Sequence, residues 1–313
     1  MTDDIDALQE RIDEVRAEIG TQIVGQREII DQLLVCVLAG GNALLESNPG
    51  LGKTSMVRAL AAASDLSFSR VQNTPDLMPS DITGTEIIRE RESGRDFVFE
   101  EGPIFANVVL ADEINRATPK TQAAMLEAMQ EQQVTAAGET HALPEPFFVL
   151  ATQNPIDQEG TYPLPEAQTD RFLMKIVVDY PAADEEREIV RRYTGDVRPE
   201  SVERVLSGDD VREIQSLVRE VPIADDLRDR AIDLVRATRE ADDIEYGASP
   251  RASMALVTTA KARAFLAGRA HVSWEDVEAM ARPVLRHRIR LDFRAEREGL
   301  TTDEAVGALL EGA

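Results

Sequence analysis

Ser47-Asn48-Pro49-Gly50-Leu51-Gly52-Lys53-Thr54 separates a short apolar run from a segment with helical spacing. The run before it, Ala43-Leu44-Leu45, predicts a buried strand, and apolar residues recur after Thr54 at intervals of three and four. A strand, a glycine-bearing loop and a helix N-terminus form an anion site, because backbone N–H groups and the helix dipole point at the anion. We therefore expect a phosphate-binding loop at residues 47–54.

The loop departs from the common pattern at one position, because Ser47 stands where a glycine usually opens it. A glycine-lysine-threonine triplet can also begin an ordinary helix, but the preceding strand and the two glycines favour phosphate binding. The lysine would reach the β- and γ-phosphates, and the threonine hydroxyl would hold Mg²⁺. The residues assigned to the nucleoside triphosphate are Asn48, Pro49, Gly50, Leu51, Gly52, Lys53 and Thr54.

A second apolar run, at residues 108–111, ends in Asp112 and Glu113. A buried parallel strand would deliver both carboxylates to the carboxyl edge of the sheet, where ligands bind in such folds. Asp112 would then act on the Mg²⁺ side, and Glu113 would orient or deprotonate the attacking water. The alternative is that Asp112 only caps the segment that follows.

A third run, at residues 147–152, is followed by Gln153, Asn154 and Pro155. If this strand lies next to the acidic strand, the Asn154 amide comes close to the γ-phosphate and can position water. An Asn-Pro pair by itself is more often a simple turn.

Short strands and helices alternate as far as about residue 180, which predicts a parallel sheet with helices on both faces. The expected strands are 43–45, 67–71, 108–111, 147–152 and 172–178, with amphipathic helices at 5–19 and up to about 38 and hairpins at 85–101 and 133–143. After Pro181 helical periodicity dominates, and a polar run marks a linker at 197–208. We expect a nucleotide-binding domain at 1–198 and a helical lid at 199–313.

The composition favours a cytoplasmic protein. No apolar run approaches the ~18–20 residues that span a bilayer, and the acidic N-terminus does not resemble a signal peptide. Cys36 is the only cysteine, so no intramolecular disulfide is expected. The three histidines, His141, His271 and His287, are scattered, and they suggest no metal site beyond Mg²⁺.

The net charge is −24, and only four of the 34 basic residues are lysines. Such self-repulsion is screened at molar salt. We expect a protein from a salt-rich cytoplasm, such as that of a halophilic archaeon; the alternative is simply an acidic surface that prefers arginine.

Several motifs together resemble the MoxR family of AAA+ ATPases, of the helix-2-insert branch. The chain contains, in order, Gly25-Gln26, the phosphate-binding loop, Asp112-Glu113-Ile114-Asn115-Arg116-Ala117, Ala151-Thr152-Gln153-Asn154-Pro155, Leu164-Pro165-Glu166-Ala167-Gln168-Thr169-Asp170-Arg171-Phe172, Gly247-Ala248-Ser249-Pro250-Arg251-Ala252 and Val284-Leu285-Arg286-His287-Arg288-Ile289. Ser47 and Thr169 are small departures from the family pattern. The resemblance implies a P-loop AAA+ αβα core with a parallel five-stranded sheet, followed by a C-terminal α-helical lid.

The resemblance also implies roles for individual residues. Asn154 would be the first sensor, Arg171 an arginine finger that reaches the γ-phosphate of a neighbouring subunit, and Arg251 the second sensor on the lid. The residues expected around the adenine are Ile23, Val24 and Gly25. A guanidinium suits the finger role because it is always charged and makes planar, two-pronged contacts with phosphoryl oxygens.

The roles of two arginines still have alternative interpretations at this stage. Arg171 could instead pair with Asp170 or Asp179 on the surface of its own subunit. Arg116 could lie at a subunit interface or be an ordinary solvated arginine. In the lid, Trp274 is expected in the core and Ser273 as a helix cap.

The same resemblance implies ATP and Mg²⁺ as cofactors, a ring hexamer, chaperone-like remodelling and a partner with a von Willebrand factor A domain. A chelatase-type motor for metal insertion has similar parts, and only the partner distinguishes it. A nucleotide-gated switch with little turnover is disfavoured by Glu113. A DNA motor is disfavoured because residues 131–147 contain no lysine or arginine and acids outnumber arginines in the 85–101 hairpin.

Overall fold

The computed structural model describes residues 2–91, 94–136, 138–154, 160–194 and 201–312. The helices are α1 (Thr2–Gln22), α2 (Arg27–Leu38), α3 (Lys53–Ala63), α4 (Pro79–Thr83), α5 (Pro119–Glu131), α6 (Glu166–Thr169), α7 (Ala183–Thr194), α8 (Gly208–Glu220), α9 (Asp225–Ala237), α10 (Pro250–Leu266), α11 (Trp274–Leu285), α12 (Phe293–Glu298) and α13 (Thr302–Glu311). The strands are β1 (Ala43–Ser47), β2 (Phe68–Gln72), β3 (Gly84–Arg91), β4 (Gly94–Glu101), β5 (Val108–Asp112), β6 (Gln133–Ala136), β7 (Glu139–Ala142), β8 (Phe148–Gln153), β9 (Met174–Val178), β10 (Ile244–Tyr246) and β11 (Arg290–Leu291).

Five strands form one parallel sheet in the order β2-β5-β8-β1-β9. The predicted parallel five-stranded sheet is confirmed. The last strand begins two residues later than expected, because the Phe172 N–H bonds to the Thr169 carbonyl in a turn after α6. Phe172 is nevertheless fully buried, so its hydrophobicity fills the core without extending the strand.

Alternate side chains of each central strand enter opposite hydrophobic layers, as the two-residue period of a strand requires. Leu45, Leu110 and Leu150 pack with α1, α2 and α3 on one face. Leu44, Val109 and Val149 pack on the other face, with residues of α4 and α5. Helices therefore cover both faces of the sheet, and the carboxyl ends of its strands share one edge.

Two antiparallel hairpins project from this core. In the first, β3 pairs with β4 from Gly84 opposite Glu101 to Arg91 opposite Gly94, and in the second β6 pairs with β7. The second hairpin contacts the first through His141, whose ring stacks on Phe99 with centroids 4.0 Å apart. The two hairpins expected from the sequence are therefore present, although the turn at Ser93 lies outside the described residues.

The C-terminal part contains α8 to α13 together with one short antiparallel pair, β10 and β11, which the sequence did not predict. Trp274 is partly buried and packs against the hydrophobic core at its edge. Arg230 covers its ring at 3.6 Å and its indole N–H donates to Glu278. Ser273 caps α11, as expected.

Part of the expected linker, residues 195–200, lies outside the described residues. Next to it, Val205 and Leu206 donate their N–H groups to the carbonyl of Ala63 at the end of α3. The boundary at residues 198 and 199 stays a prediction. None of the helices in the described ranges is long and apolar enough to cross a membrane.

Candidate functional site

The loop between β1 and α3 has the conformation of an anion cradle. Gly50 and Gly52 have φ values of 85° and 77°, a left-handed region that side chains disfavour. No side chain caps the N-terminus of α3, so its first N–H groups are available to a ligand. The Lys53 ammonium donates to the Ser47 carbonyl at 3.4 Å and spans the loop.

Ser47 fits the position where glycine is usual. Its φ is not in the left-handed region, so its conformation does not demand a glycine. Its hydroxyl is buried and donates to the Asn48 carbonyl at 2.9 Å. The substitution therefore adds a hydrogen bond inside the loop.

A cleft of about 370 Å³ lies beside the loop. Its lining comes from the junction of α1 and α2, the loop itself, and α7 with the residues before it; it includes Gln22, Ile23, Val24, Gln26, Pro49, Gly50, Leu51, Gly52, Ser55, Tyr180, Pro181, Glu186, Ile189 and Tyr193. Ile23 and Val24 line this cleft, and their role at the adenine stays a prediction. Gly25 is not in the lining, and its φ of 66° shapes the turn between them and α2.

Sequence reasoning missed the wall of the cleft formed by residues after β9. The Tyr193 hydroxyl donates to the Gln22 carbonyl at 2.6 Å and holds α7 against the end of α1. Tyr180 lies before α7 and Tyr193 in its last turn, and this pair of aromatic residues was the available signal. Both tyrosines line the cleft together with apolar side chains such as Ile23 and Ile189.

Asp112 is buried at the end of β5 and its two carboxylate oxygens have different partners. Oδ1 accepts the Thr152 hydroxyl at 2.6 Å, and Oδ2 accepts the Arg70 guanidinium, with Nε at 3.2 Å. Arg70 lies on the edge strand β2, and its side chain is 46% exposed. The carboxylate is therefore pre-oriented, with one oxygen held by a residue that solvent can reach.

Glu113 follows directly in a left-handed conformation, with φ of 54°. Such a conformation costs on the order of 1–3 kcal/mol for a residue with a side chain, and it recurs at functional sites. The Glu113 N–H donates to the Thr152 hydroxyl oxygen at 2.8 Å, while its Oε2 accepts Gln72 at 3.0 Å and Arg116 at 3.3 Å. Thr152 therefore joins both acidic residues, and Arg116 pairs within its own chain.

Asn154 is the first residue after β8, and its side chain is buried. β8 lies between β5 and β1 in the sheet. Asn154 thus follows the strand that separates the acidic pair from the phosphate-binding loop, and its role as a sensor stays a prediction. Pro155 lies outside the described residues.

The two predicted arginines differ in their surroundings. The side chain of Arg171, half-buried after α6, makes no hydrogen bond or ion pair with any residue that the structure describes, whereas its backbone N–H donates to the Gln168 carbonyl at 3.2 Å. The alternative pairing with Asp170 is wrong, because that carboxylate contacts three lid residues instead: Arg288 at 2.9 Å, Ser249 at 3.0 Å and Arg251 at 3.5 Å. Burial lowers the pKa of Arg288, and its hydrogen bond to Asp170 opposes that shift.

Comparisons with known proteins agree with this geometry. The model of the ATPase family associated with various cellular activities (AAA) matches residues 42–174, and the model of the AAA lid domain matches residues 236–309. Chaperone MoxR1 of Mycobacterium tuberculosis is 42% identical over 94% of this chain and 79% of its own length. Protein MoxR of Paracoccus denitrificans is 33% identical over 100% of this chain and 97% of its own length. The chain belongs to the MoxR family of AAA+ ATPases.

Two further relatives of this MoxR-family chain are similar over almost their whole length. The uncharacterized protein YeaC of Bacillus subtilis is 43% identical over 93% of this chain and 91% of its own. The crystal structure of an ATPase candidate from Cytophaga hutchinsonii superposes with a TM-score of 0.92 and is 44% identical, covering 99% of this chain and 96% of that one. The match confirms the arrangement of core and lid as an AAA+ fold.

The oxygen donors of the MoxR-family site fit Mg²⁺. This ion keeps several waters and binds through one or two carboxylates together with substrate phosphates, rather than in an all-protein cage. Thr54 and Asp112 offer one hydroxyl and one carboxylate, and no group of three potential metal ligands occurs elsewhere in the described ranges. These two residues would hold the ion when a nucleotide supplies the remaining oxygens.

Proposed function

We propose that this MoxR-family chain is a Mg²⁺-dependent ATPase. One observation carries the proposal: the phosphate-binding loop, the Asp112–Glu113 pair and Asn154 all follow strands that end at the same edge of the sheet. Bound Mg²⁺ would neutralise phosphate charge there. The chain's own residues bind and orient: Lys53 and the α3 N-terminus hold phosphates, Glu113 activates water, and Asn154 positions it.

We further propose that the active site is shared between subunits of a hexameric ring. Arg171 supports this, because its side chain lies partly exposed after α6 with no partner in the described part of its own chain. An arginine finger of this kind increases turnover by about 10³–10⁵. Arg251, on the first turn of α10, would sense the nucleotide from the lid.

The work done with ATP is, in this proposal, chaperone-like remodelling or maturation of partner proteins, in the cytoplasm. The name of the related Chaperone MoxR1 supports the remodelling role, and the single buried cysteine suits a reducing compartment. A partner with a von Willebrand factor A domain is proposed from the family resemblance. Stimulation by single-stranded DNA, or metal insertion with a chelatase partner, would replace this role without changing the ATPase chemistry.

Steady-state ATP hydrolysis tests the chemistry. Glu113→Gln should bind ATP and lose turnover, and Arg171→Ala should bind ATP almost normally and turn over about 10³-fold more slowly. Arg236→Ala, which removes an exposed arginine on α9 that pairs with Asp233, is the matched control and should behave as wild type. Normal turnover in Glu113→Gln would refute the proposed role of that carboxylate.

Mixing the two inactive variants tests the shared site. A ring that contains both variants has some interfaces with an intact Glu113 from one subunit and an intact Arg171 from the next. The mixture should therefore be more active than either variant alone, and its mass by light scattering should be about six times the 34.5 kDa of the chain. No recovery in a mixture that does form rings would contradict action between subunits.

A further inference from the structure

Three consecutive lid residues after α11 bond to the core segment that contains Arg171. Arg286 donates to the Lys175 carbonyl at 3.3 Å, and the ring Nε2 of His287 donates to the Phe172 carbonyl at 3.2 Å. Arg288 donates to the side chain and the backbone of Asp170. The lid therefore holds the backbone on both sides of Arg171 by hydrogen bonds.

Arg288 donates most of the hydrogen bonds that hold this segment. Its side chain is 2% exposed, and its guanidinium donates to Asp170 Oδ1 at 2.9 Å and to the Leu173 carbonyl at 3.0 Å, and also to the carbonyls of Phe172 and Val284. If this buried guanidinium moved away, all of these hydrogen bonds would be lost. Arg288 and Asp170 form a fixed pair.

Arg251 approaches the same carboxylate in a different way. Its side chain is 46% exposed, and it lies 3.5 Å from Oδ2, the oxygen that the Ser249 hydroxyl also reaches at 3.0 Å. Two guanidiniums, those of Arg251 and Arg288, thus share one carboxylate and repel each other. The exposed, longer contact is the one that can be exchanged at low cost.

We propose that Asp170 is a positioning residue that holds Arg251 until a triphosphate replaces it as the partner of that guanidinium. This inference rests on the proposed ATPase function and adds to it a competing partner for Arg251 within the same chain. Because Asp170 directly precedes Arg171, the carboxylate that releases Arg251 is also the one that anchors the start of the finger segment. Binding of a triphosphate in one subunit is thereby connected to the arginine offered to its neighbour.

Nucleotide affinity in Asp170→Asn tests the exchange. Removing the negative charge frees Arg251, so AMP-PNP with Mg²⁺ should bind about five-fold more tightly than to wild type, as expected for the loss of one exposed competing ion pair. ADP lacks the γ-phosphate, and its Kd should not change. A merely structural role would weaken both nucleotides together.

Titration calorimetry measures the Kd of both nucleotides. Their ratio keeps the test valid if part of the variant unfolds, because reversible unfolding raises both apparent Kd values by the same factor. Asp243→Asn is the matched control, since it removes the carboxylate of another lid pair, with Arg294 at 2.9 Å, away from Arg251. The control should leave both Kd values unchanged. An unchanged or reduced preference for AMP-PNP over ADP in Asp170→Asn would overturn the inference.

A double-mutant cycle identifies Arg251 as the residue through which Asp170 acts. In an Arg251→Ala background, Asp170→Asn should no longer change the preference for AMP-PNP. The same gain with and without Arg251 would overturn the exchange. If wild type neither binds nor hydrolyses ATP, the proposed function fails; if wild type hydrolyses ATP and only these shifts are missing, the inference alone fails.

Discussion

Asp112 and Asp170 lie in different parts of the molecule and have similar hydrogen-bond partners. Each accepts one hydroxyl and at least one arginine: Thr152 and Arg70 at the sheet edge, Ser249 and Arg288 at the lid. The arginine differs, because the side chain of Arg70 is 46% exposed and that of Arg288 is 2% exposed. The exposed partner can give way to a cation at low cost, whereas the buried partner fixes a backbone segment.

The largest expected effect is a difference in the stability of the protein after loss of Arg288 or of Arg70. Arg288→Ala should lower the free energy of unfolding by about 3 kcal/mol, because it leaves a carboxylate and several carbonyls without their buried donor. Arg70→Ala serves as the matched control and should cost less than about 1 kcal/mol. Urea denaturation of the three proteins measures both values, and equal losses would erase the contrast between the two sites.

The second effect concerns activity at the sheet edge. Asp112→Asn removes the charge that would hold Mg²⁺ and should slow ATP turnover at least about 100-fold, equivalent to about 2.7 kcal/mol in the activation barrier. Its stability should change little, because the amide oxygen can still accept the Thr152 hydroxyl. Asp65→Asn, which breaks an exposed pair with Arg204, should leave turnover unchanged. A rate within ten-fold of wild type would argue against Asp112 as a metal ligand.

Salt should raise the free energy of unfolding of the whole protein without removing the contribution of the buried Arg288. A net charge of −24 repels itself, and the screening length falls from ~10 Å at 0.1 M to ~3 Å at 1 M salt. We expect the free energy of unfolding to be higher in 2 M than in 0.1 M KCl, by on the order of 1 kcal/mol or more. The loss in Arg288→Ala should persist at both concentrations. Equal stability of wild type in the two buffers would contradict an origin in a salt-rich cytoplasm.

The smallest effect tests a third aspartate, Asp210, which accepts Arg11 at 2.7 and 2.9 Å and joins α8 to α1. The hydrogen bond from Arg11 lowers the pKa of Asp210 below its usual value of 3.8. Its contribution is therefore complete above the unfolded-state pKa and is lost as the pH falls through the lower folded-state pKa. Asp210→Asn should cost about 1 kcal/mol at pH 7.

The cost of Asp210→Asn should shrink as the pH falls below about 3.8. Denaturation curves at pH 7 and at successively lower pH measure the change. Asp209→Asn removes the exposed neighbouring carboxylate, which pairs with Arg212, and provides the control with little effect at any pH. A cost that is independent of pH would show that the ion pair does not act through the charge of Asp210.

Local sequence identified most of the sheet edge at which we propose phosphate binding. The alternation of strands and helices predicted the parallel sheet, and the loop at residues 47–54 and the acidic pair could be recognised by their position after apolar strands. Arg70 was missed, although Arg70 and Gln72 share one face of β2 two residues apart, because an arginine in an edge strand has no distinctive spacing. The first residue of β9 was misjudged because Phe172 is buried as a strand residue would be.

The sequence by itself determined the fold class and the positions of the glycine-bearing loop and the acidic pair after their strands, because these features depend on backbone conformation and on periodicity within about ten residues. Only the tertiary structure decided which side chains act together. Arg70 is 42 residues from Asp112, and Arg288 is 118 residues from Asp170. The physical reason is that contacts over such separations depend on how the sheet and the lid pack. The partner of an isolated arginine or aspartate therefore cannot be predicted from the sequence.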